Sequence, residues 1–146
     1  VAGLQEGAVR HPGRIGLRIG YDEALAHRMQ GGGDAILVPS RFEPCGLTQL
    51  YGLAYGRVPV VARTGGLADT VIDANLAACA AGAASGVQFT GVNYPALAAA
   101  ITRANALYYQ PETWRAMQRS GMKADFSWTS SGRIYAELYR ELTGAK

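Results

Sequence analysis

The sequence is poor in cysteine and has no long hydrophobic run. Its two cysteines, Cys45 and Cys79, are far fewer than a disulfide-stapled domain uses, so we expect a reducing, cytoplasmic environment. No apolar stretch approaches the roughly 20 residues of a membrane-spanning helix, and the first residues lack the pattern of a secretory signal. With 49% hydrophobic and 17% charged residues, the composition is typical of a globular protein without membrane contact.

Lysine is also scarce, since Lys123 and Lys146 are the only two and arginine supplies the other cations behind the net charge of +3. The arginines are spread along the chain without interleaved aromatic residues, which argues against a nucleic-acid partner. A small phosphate-bearing ligand fits this modest excess of positive charge better, because guanidinium groups bind phosphate oxygens well. The alternative is a mildly basic, solvated surface.

Residues that could hold a metal or a prosthetic group are equally few. His11 and His27 have no Cys, Asp or His partner at ligand spacing, so we expect no metal site. A pyridoxal phosphate enzyme needs a Schiff-base lysine, and both lysines lie in the C-terminal part of the chain, away from the strand ends. The sequence therefore predicts a protein without cofactors.

What the chain does contain is a strand–loop–helix unit over residues 35–56. The apolar run Ala35–Val38, ended by Pro39, predicts a buried strand. After the polar loop 40–46, a helix ending at Gly56 is predicted from apolar residues at helical spacing, namely Leu47, Leu50, Tyr51 and Ala54. The loop therefore follows the carboxyl end of the strand, where open α/β sheets bind ligands.

The start of this helix lacks a capping oxygen. Pro44, Cys45 and Gly46 precede Leu47, and none of them is a good N-cap. Glycine at position 46 would also let a ligand approach the backbone closely. Unpaired amides at the positive end of the helix dipole predict an anion site, above all for phosphate, while a turn capped by water is the alternative.

Strand and helix patterns alternate on both sides of this unit. Further strands are predicted at 15–20, 58–63 and 86–89. Further helices are predicted at 1–10, from the Asp22 cap to about Met29 and at 67–73, with a loop or loosely held helix at 74–85. The pattern indicates one domain, residues 1–146, built on a parallel sheet of about four strands.

The C-terminal third is helical in pattern. Helices are predicted to begin near Pro95, at Pro111 and after Ser127. The residues expected to face inward are Leu97, Ile101, Ala104, Leu107, Trp114, Met117, Met122, Trp128, Tyr135, Leu138 and Leu142. The predicted fold class is α/β: a Rossmann-like, three-layer parallel sheet with a helical C-terminal tail.

Two motifs give the chain a resemblance to a known enzyme family. They are Arg41–Gln49 (RFEPCGLTQ) and Arg63–Val71 (RTGGLADTV), with support from Gly20 and Tyr21 upstream and from Asp125–Trp128 (DFSW) near the end. In order and spacing they resemble the C-terminal domain of bacterial glycogen synthases and plant starch synthases. The resemblance covers nearly the whole chain, and nine contiguous residues are much more specific than a glycine pattern.

The resemblance implies the GT-B architecture, in which two Rossmann-like domains face a cleft. Such enzymes transfer glucose from ADP-glucose to the non-reducing end of an α-1,4-glucan, with retention of the anomeric configuration and without a metal. Related glycosyltransferases carry a second glutamate eight positions after the first, where this chain has Tyr51. That departure is shared with the glycogen and starch synthase branch, and it leaves no carboxylate pair of the glycosidase type.

The resemblance also implies roles for individual residues. Glu43, the catalytic candidate, would contact hydroxyls of the donor glucose. The implied substrate-binding residues are Tyr21, Arg41, Cys45, Gly46, Leu47, Thr48, Tyr51, Thr64, Gly65 and Gly66. Tyr21 would stack on the adenine, Tyr51 would lie near the ribose, and residues 45–48 would hold the distal phosphate and sugar. The glycine pair would shape the sugar side of the pocket.

We expect the chain to be the incomplete C-terminal half of such an enzyme. The family's N-terminal domain, which holds most of the acceptor groove, has no counterpart in these residues. The same is true of the loop that supplies an Arg and a Lys to the pyrophosphate, for which Arg41 or Arg63 would be only a partial substitute. These residues alone are therefore expected to be inactive, and a bare sheet edge should favour homo-oligomers.

Two other functions stay open at this point. One is a non-catalytic nucleotide-binding half-domain, which a titration with ADP would separate from a purely structural module. The other is a different sugar-nucleotide glycosyltransferase of the same architecture, which a comparison of ADP-glucose with UDP-glucose would decide.

Overall fold

The computed structural model describes residues 2–144 and is organised around a parallel sheet. Its strands are β1 (Ala35–Val38), β2 (Val58–Ala62) and β3 (Val87–Phe89), in the spatial order β1-β2-β3. Ala35 pairs with Val58 across the first ladder, and Val60 pairs with Val87 across the second. All five residues of β2 are buried, as expected of a central parallel strand covered on both faces.

The helices alternate with these strands and then follow them. They are α1 (Ala2–Arg10), α2 (Glu23–Gly32), α3 (Thr48–Ala54), α4 (Gly65–Thr70), α5 (Leu76–Ala80), α6 (Tyr94–Tyr108), α7 (Pro111–Lys123) and α8 (Trp128–Thr143). The predicted Asp22 cap is confirmed, because its carboxylate accepts a hydrogen bond from the Leu25 amide at 2.9 Å. The helix predicted at 1–10 is confirmed from Ala2 onward, and Val1 lies outside the described residues. No helix among residues 2–144 is long and apolar enough to cross a membrane.

The alternation of side chains along β2 divides the core into two layers. Val58, Val60 and Ala62 pack in one cluster with Trp114 and Met117 of α7. Val61 faces the other side of the sheet and packs with Val38, Leu67 and Val71. The predicted three-layer arrangement is therefore confirmed, with α6 and α7 on one face and α4 on the other.

The strand predicted at 15–20 is wrong. These residues are irregular, and Ile15, Leu17 and Ile19 are exposed. A strand persists only where a neighbour accepts its backbone hydrogen bonds, and none of the described strands lies beside this segment. Within residues 2–144 the sheet consequently has three strands instead of about four.

Burial differs from the prediction wherever an apolar face has nothing packed on it. β1 is an edge strand of the described sheet, so Leu37 is 44% exposed although the strand bounds are as predicted. Ile101 and Met122 are also exposed, and α8 buries no residue at all. The inward-facing assignment of Trp128, Tyr135, Leu138 and Leu142 is therefore wrong. Spacing identifies the apolar face of a helix but does not supply the surface that covers it.

Candidate functional site

The loops that follow β1 and β2 meet at the carboxyl edge of the sheet. The amide of Gly66 donates to the carbonyl oxygens of Glu43 and Pro44, each at 3.3 Å. A Cβ atom at Gly65 would overlap the carbonyl of Glu43, and one at Gly66 would lie 2.6 Å from the carbonyl carbon of Cys45. Only glycine permits this approach of two backbones. The two sequence motifs are therefore in direct backbone contact, as one candidate site requires.

The start of α3 is open, as the sequence predicted. Leu47 occupies the N-cap position, and no side chain among residues 2–144 caps the helix. The hydrogen bond that the N-cap carbonyl of Leu47 accepts comes from the Tyr51 amide at 2.9 Å. The regular backbone hydrogen bonds of the helix therefore do not engage the amides of its first turn. The uncapped start is confirmed, while the binding of an anion there stays a prediction.

Gly46 has a structural role in this loop. It is buried and adopts a φ of 72°, a conformation that side-chain-bearing residues rarely take. A Cβ atom there would also lie 2.8 Å from Nε2 of Gln49. The glycine is therefore required by the packing of the chain itself, whatever binds nearby.

The side chains expected to contact the donor differ in how firmly they are held. Glu43 is half-buried, and its carboxylate accepts a hydrogen bond from the Ser40 hydroxyl at 3.3 Å. Cys45 is an exposed free thiol, and Thr48 is exposed at the start of α3. Arg41 is exposed as well, and its guanidinium makes no hydrogen bond or ion pair with residues 2–144. Glu43 is thus the most fixed of these groups.

A cavity of about 300 Å³ adjoins α2 and α3 beside this site. It brings together Tyr21, Thr48 and Tyr51, three of the residues predicted to bind the nucleotide. Tyr21 is 91% exposed, so the cavity is open on that side. Glu23, His27 and Gln30 of α2 complete the wall opposite α3.

His27 lines this cavity but is not among the residues that the sequence predicted to bind the nucleotide, since a histidine at this position by itself carries no local sign of a ligand. Its Nδ1 lies 3.0 Å from the hydroxyl oxygen of Tyr55, and its ring centroid is 6.1 Å from that of Tyr51. Glu23, His27 and Gln30 are spaced four and three residues apart, which places them on one helix face. That spacing, next to Tyr21, was the signal that could have identified them.

Arg57 forms hydrogen bonds with the α2 residues Met29 and Gln30, the second of which lines the cavity. Its guanidinium donates to the Gln30 side-chain oxygen at 3.2 Å and to the Met29 carbonyl at 3.0 Å. Burial lowers the pKa of Arg57 from its usual value, and the carboxylate of Asp34 partly opposes that shift. Among residues 2–144, no three His, Cys, Asp or Glu side chains converge as a metal site.

Known proteins resemble this chain closely in sequence. No protein-family model matches it. The glycogen synthase of Novosphingobium aromaticivorans is 77% identical over 135 residues, which are 92% of this chain and 28% of that protein. The glycogen synthases of Mesorhizobium japonicum (63% over 139 residues) and Rhodopseudomonas palustris (57% over 145 residues) match 95% and 99% of the chain. The chain spans 28–30% of the length of these three relatives.

Solved structures resemble it in fold. The catalytic domain of starch synthase IV from Arabidopsis thaliana, bound to ADP and acarbose, superposes with a TM-score of 0.82 at 33% identity over 96% of this chain and 29% of that one. Sucrose-phosphate synthase from Thermosynechococcus elongatus superposes with a TM-score of 0.67 at 27% identity over 97% of this chain and 34% of that one. By sequence and by fold, the chain is homologous to a segment of the bacterial glycogen synthases, and it has the fold of a GT-B glycosyltransferase domain.

Proposed function

We propose that the protein containing these residues transfers glucose from ADP-glucose to the non-reducing end of an α-1,4-glucan, with retention. The observation that carries the proposal is the backbone contact between the loop at Glu43–Cys45 and the turn at Gly65–Gly66. It assembles both family motifs at the edge of the sheet where α/β proteins bind ligands. The starch synthase structure that superposes on this chain is bound to ADP, which supports an adenine nucleotide as the ligand.

In this proposal the donor lies across the two loops. Its adenine occupies the cavity beside Tyr21 and His27, with the ribose near Tyr51. The diphosphate faces the first-turn amides of α3, which favour negative charge because they lie at the positive end of the helix dipole and no side chain in the described part of the chain caps them. The glucose lies toward Glu43 and the glycine pair.

The chemistry that these residues contribute is positioning and charge stabilisation. When the bond between glucose and diphosphate breaks, negative charge develops on the departing ADP. Fixed N–H groups at that position stabilise the charge without having to reorganise. The free guanidinium of Arg41 can reach toward the same oxygens, and the carboxylate of Glu43 can accept hydrogen bonds from sugar hydroxyls.

The acceptor is expected to bind mainly through residues that this chain does not supply. We therefore propose that the 146 residues alone do not transfer glucose, because they correspond to only 28–30% of the three relatives compared above. A cytoplasmic location is also proposed, supported by the two cysteines in a chain of this length.

The test is glucose transfer by the full-length protein, with Glu43→Gln as the diagnostic variant. We expect kcat to fall about a hundredfold, in the range seen when one preorganised polar group is removed from an active site. Glu112→Gln is the matched control, because Glu112 is an exposed glutamate at the start of α7. Transfer by the Glu43→Gln protein at the wild-type rate would refute the catalytic assignment.

A second candidate is a GT-B transferase for another sugar nucleotide. The likeness to sucrose-phosphate synthase favours it, although the starch synthase superposes better. Assaying ADP-glucose against UDP-glucose with the full-length protein separates the two candidates. A titration of ADP into the isolated chain tests the third alternative, a nucleotide-binding module without activity.

A further inference from the structure

We propose that Gln49 and Thr70 are positioning residues that hold the two loops of the site in register. This inference rests on the proposed function, because it assigns the donor to those loops. Neither residue is among the predicted substrate contacts. Both act indirectly, by hydrogen bonding to the backbone carbonyls of Cys45 and Gly66 in the two loops.

The evidence is a chain of three hydrogen bonds. Nε2 of Gln49 donates to the carbonyl oxygen of Cys45 at 3.3 Å and to the hydroxyl oxygen of Thr70 at 3.1 Å. The Thr70 hydroxyl then donates its own proton to the carbonyl oxygen of Gly66. The chain therefore runs from the loop after β1 to the turn after β2. We call this set of contacts the Gln49–Thr70 clamp.

Gln49 is fully buried, with no exposed surface. The orientation that lets Nε2 donate twice leaves Oε1 buried without a partner among the described residues. A leucine or methionine would fill the same space without an unpaired oxygen, so burial alone does not explain a glutamine. The glutamine instead provides one hydrogen bond to Cys45, in the loop after β1, and one to Thr70, in the helix after β2.

The clamp sets the spacing of the groups that are proposed to hold the donor. Gln49 and Gly46 are in direct contact, and Gly66 lies against Cys45. A displacement of one loop relative to the other would separate Glu43 from the glycine turn. Group transfer depends steeply on such distances, since an error of about 1 Å can cost a hundredfold in rate. The clamp therefore acts on transfer more than on the binding of the acceptor.

The experiment compares Thr70→Val with Thr70→Ser in the full-length protein. Valine has the shape of threonine without the hydroxyl, whereas serine keeps the hydroxyl. We expect Thr70→Val and Gln49→Met to lower kcat/KM for ADP-glucose about tenfold and to leave KM for the glucan unchanged. Thr70→Ser should restore most of that loss.

Amide hydrogen exchange supplies a readout that does not need activity. Thr70→Val and Gln49→Met should speed exchange in both segments 43–47 and 64–67, because each variant removes the side-chain link between them and leaves only the backbone contact of Gly66. The control is Gln118→Met, since Nε2 of Gln118 also donates to a backbone carbonyl, that of Gly56 at 2.8 Å, but outside these loops. That variant should leave exchange in both segments as in the wild type.

The outcomes separate the two proposals. A wild-type protein that does not transfer glucose would refute the proposed function, while the exchange measurement would still test the clamp. Unchanged exchange in either Thr70→Val or Gln49→Met would overturn the clamp. So would a Thr70→Ser protein as impaired in transfer as Thr70→Val.

Discussion

The amide nitrogen of Gly66 lies 3.3 Å from the carbonyl oxygen of Glu43, although the two residues are on separate strand-to-helix connections. This contact places the proposed catalytic carboxylate and the glycine turn on one surface. It also makes the site sensitive to a single added carbon atom.

Gly66→Ala should destabilise the protein and weaken ADP binding together. The new methyl group would overlap the carbonyl of Cys45, and overpacking of this kind costs about 1–3 kcal/mol in the free energy of unfolding. Denaturant unfolding and calorimetric titration with ADP measure the two effects. Gly132→Ala is the control, because a Cβ atom there meets nothing within 4 Å and should stabilise α8 by about 0.5–1 kcal/mol. Equal stability of Gly66→Ala and wild type would contradict the observed contact.

His27→Ala should reduce the preference of the full-length protein for ADP over UDP. His27 lines the proposed adenine cavity, and its bond to Tyr55 leaves Nε2 as the ring nitrogen available to a base. Loss of one hydrogen bond corresponds to about a threefold to tenfold change in the ratio of dissociation constants. Titrations with ADP and UDP give that ratio, and His11→Ala, an exposed position in the turn after α1, is the control. An unchanged ratio would remove His27 from base recognition.

Asp125 should make stability depend on pH in the acid range. Hydrogen bonds from the hydroxyl and the amide of Ser127 hold the pKa of Asp125 below its ordinary 3.8. A carboxyl whose pKa is lower in the folded state stabilises the protein above its ordinary pKa, and this contribution disappears as pH falls through the lowered value. The difference in unfolding free energy between wild type and Asp125→Ala should therefore be fully present near pH 7 and should shrink as the pH falls below 3.8. A difference that grows on acidification would have the wrong sign.

The isolated chain should self-associate through β1. One side of this strand is unpaired in the described sheet, and an apolar cavity of about 350 Å³ lies beside it, lined in part by Leu37, Ile101 and Tyr108. Exposed edges of this kind pair with other chains, and a lysine on the edge suppresses such pairing. Light scattering should show dimers or larger species for the wild type and a smaller mass for Leu37→Lys.

The control for this experiment is Leu142→Lys, which removes a 73% exposed leucine from α8. If Leu142→Lys and Leu37→Lys reduced the mass equally, association would depend on general surface hydrophobicity and not on the strand edge. A wild-type chain that is cleanly monomeric would contradict the prediction altogether.

Local sequence patterns were sufficient for most of the elements. The apolar run at Ala35–Val38, the Asp22 cap and the prolines at the starts of α6 and α7 each determine structure through neighbouring residues, and each is confirmed. The motif residues at 41–49 and 63–71 likewise indicate the family from the sequence alone. These signals depend on a few adjacent side chains and on backbone preferences, so they are visible in the sequence.

Helix α3 shows where local patterns stop being informative. The spacing of Leu47, Leu50, Tyr51 and Ala54 predicts the helix, but the residues that it buries are Gln49, Gly52 and Leu53. Tyr51 instead faces the proposed nucleotide cavity, and Gln49 is buried because Cys45 and Thr70 offer it partners. A buried polar side chain is stable only when distant residues satisfy its hydrogen bonds, and no local pattern reports them.

By itself the sequence determined the order of strands and helices from residue 22 onward and the family motifs, because these depend on short-range steric and hydrogen-bonding preferences. Only the tertiary structure decided which apolar faces are covered, that residues 15–20 form no strand and that Gln49 joins the two loops. Those outcomes depend on surfaces contributed by residues far apart in the chain. Burial and strand pairing are properties of such pairs of surfaces, so they exist only once the chain has folded.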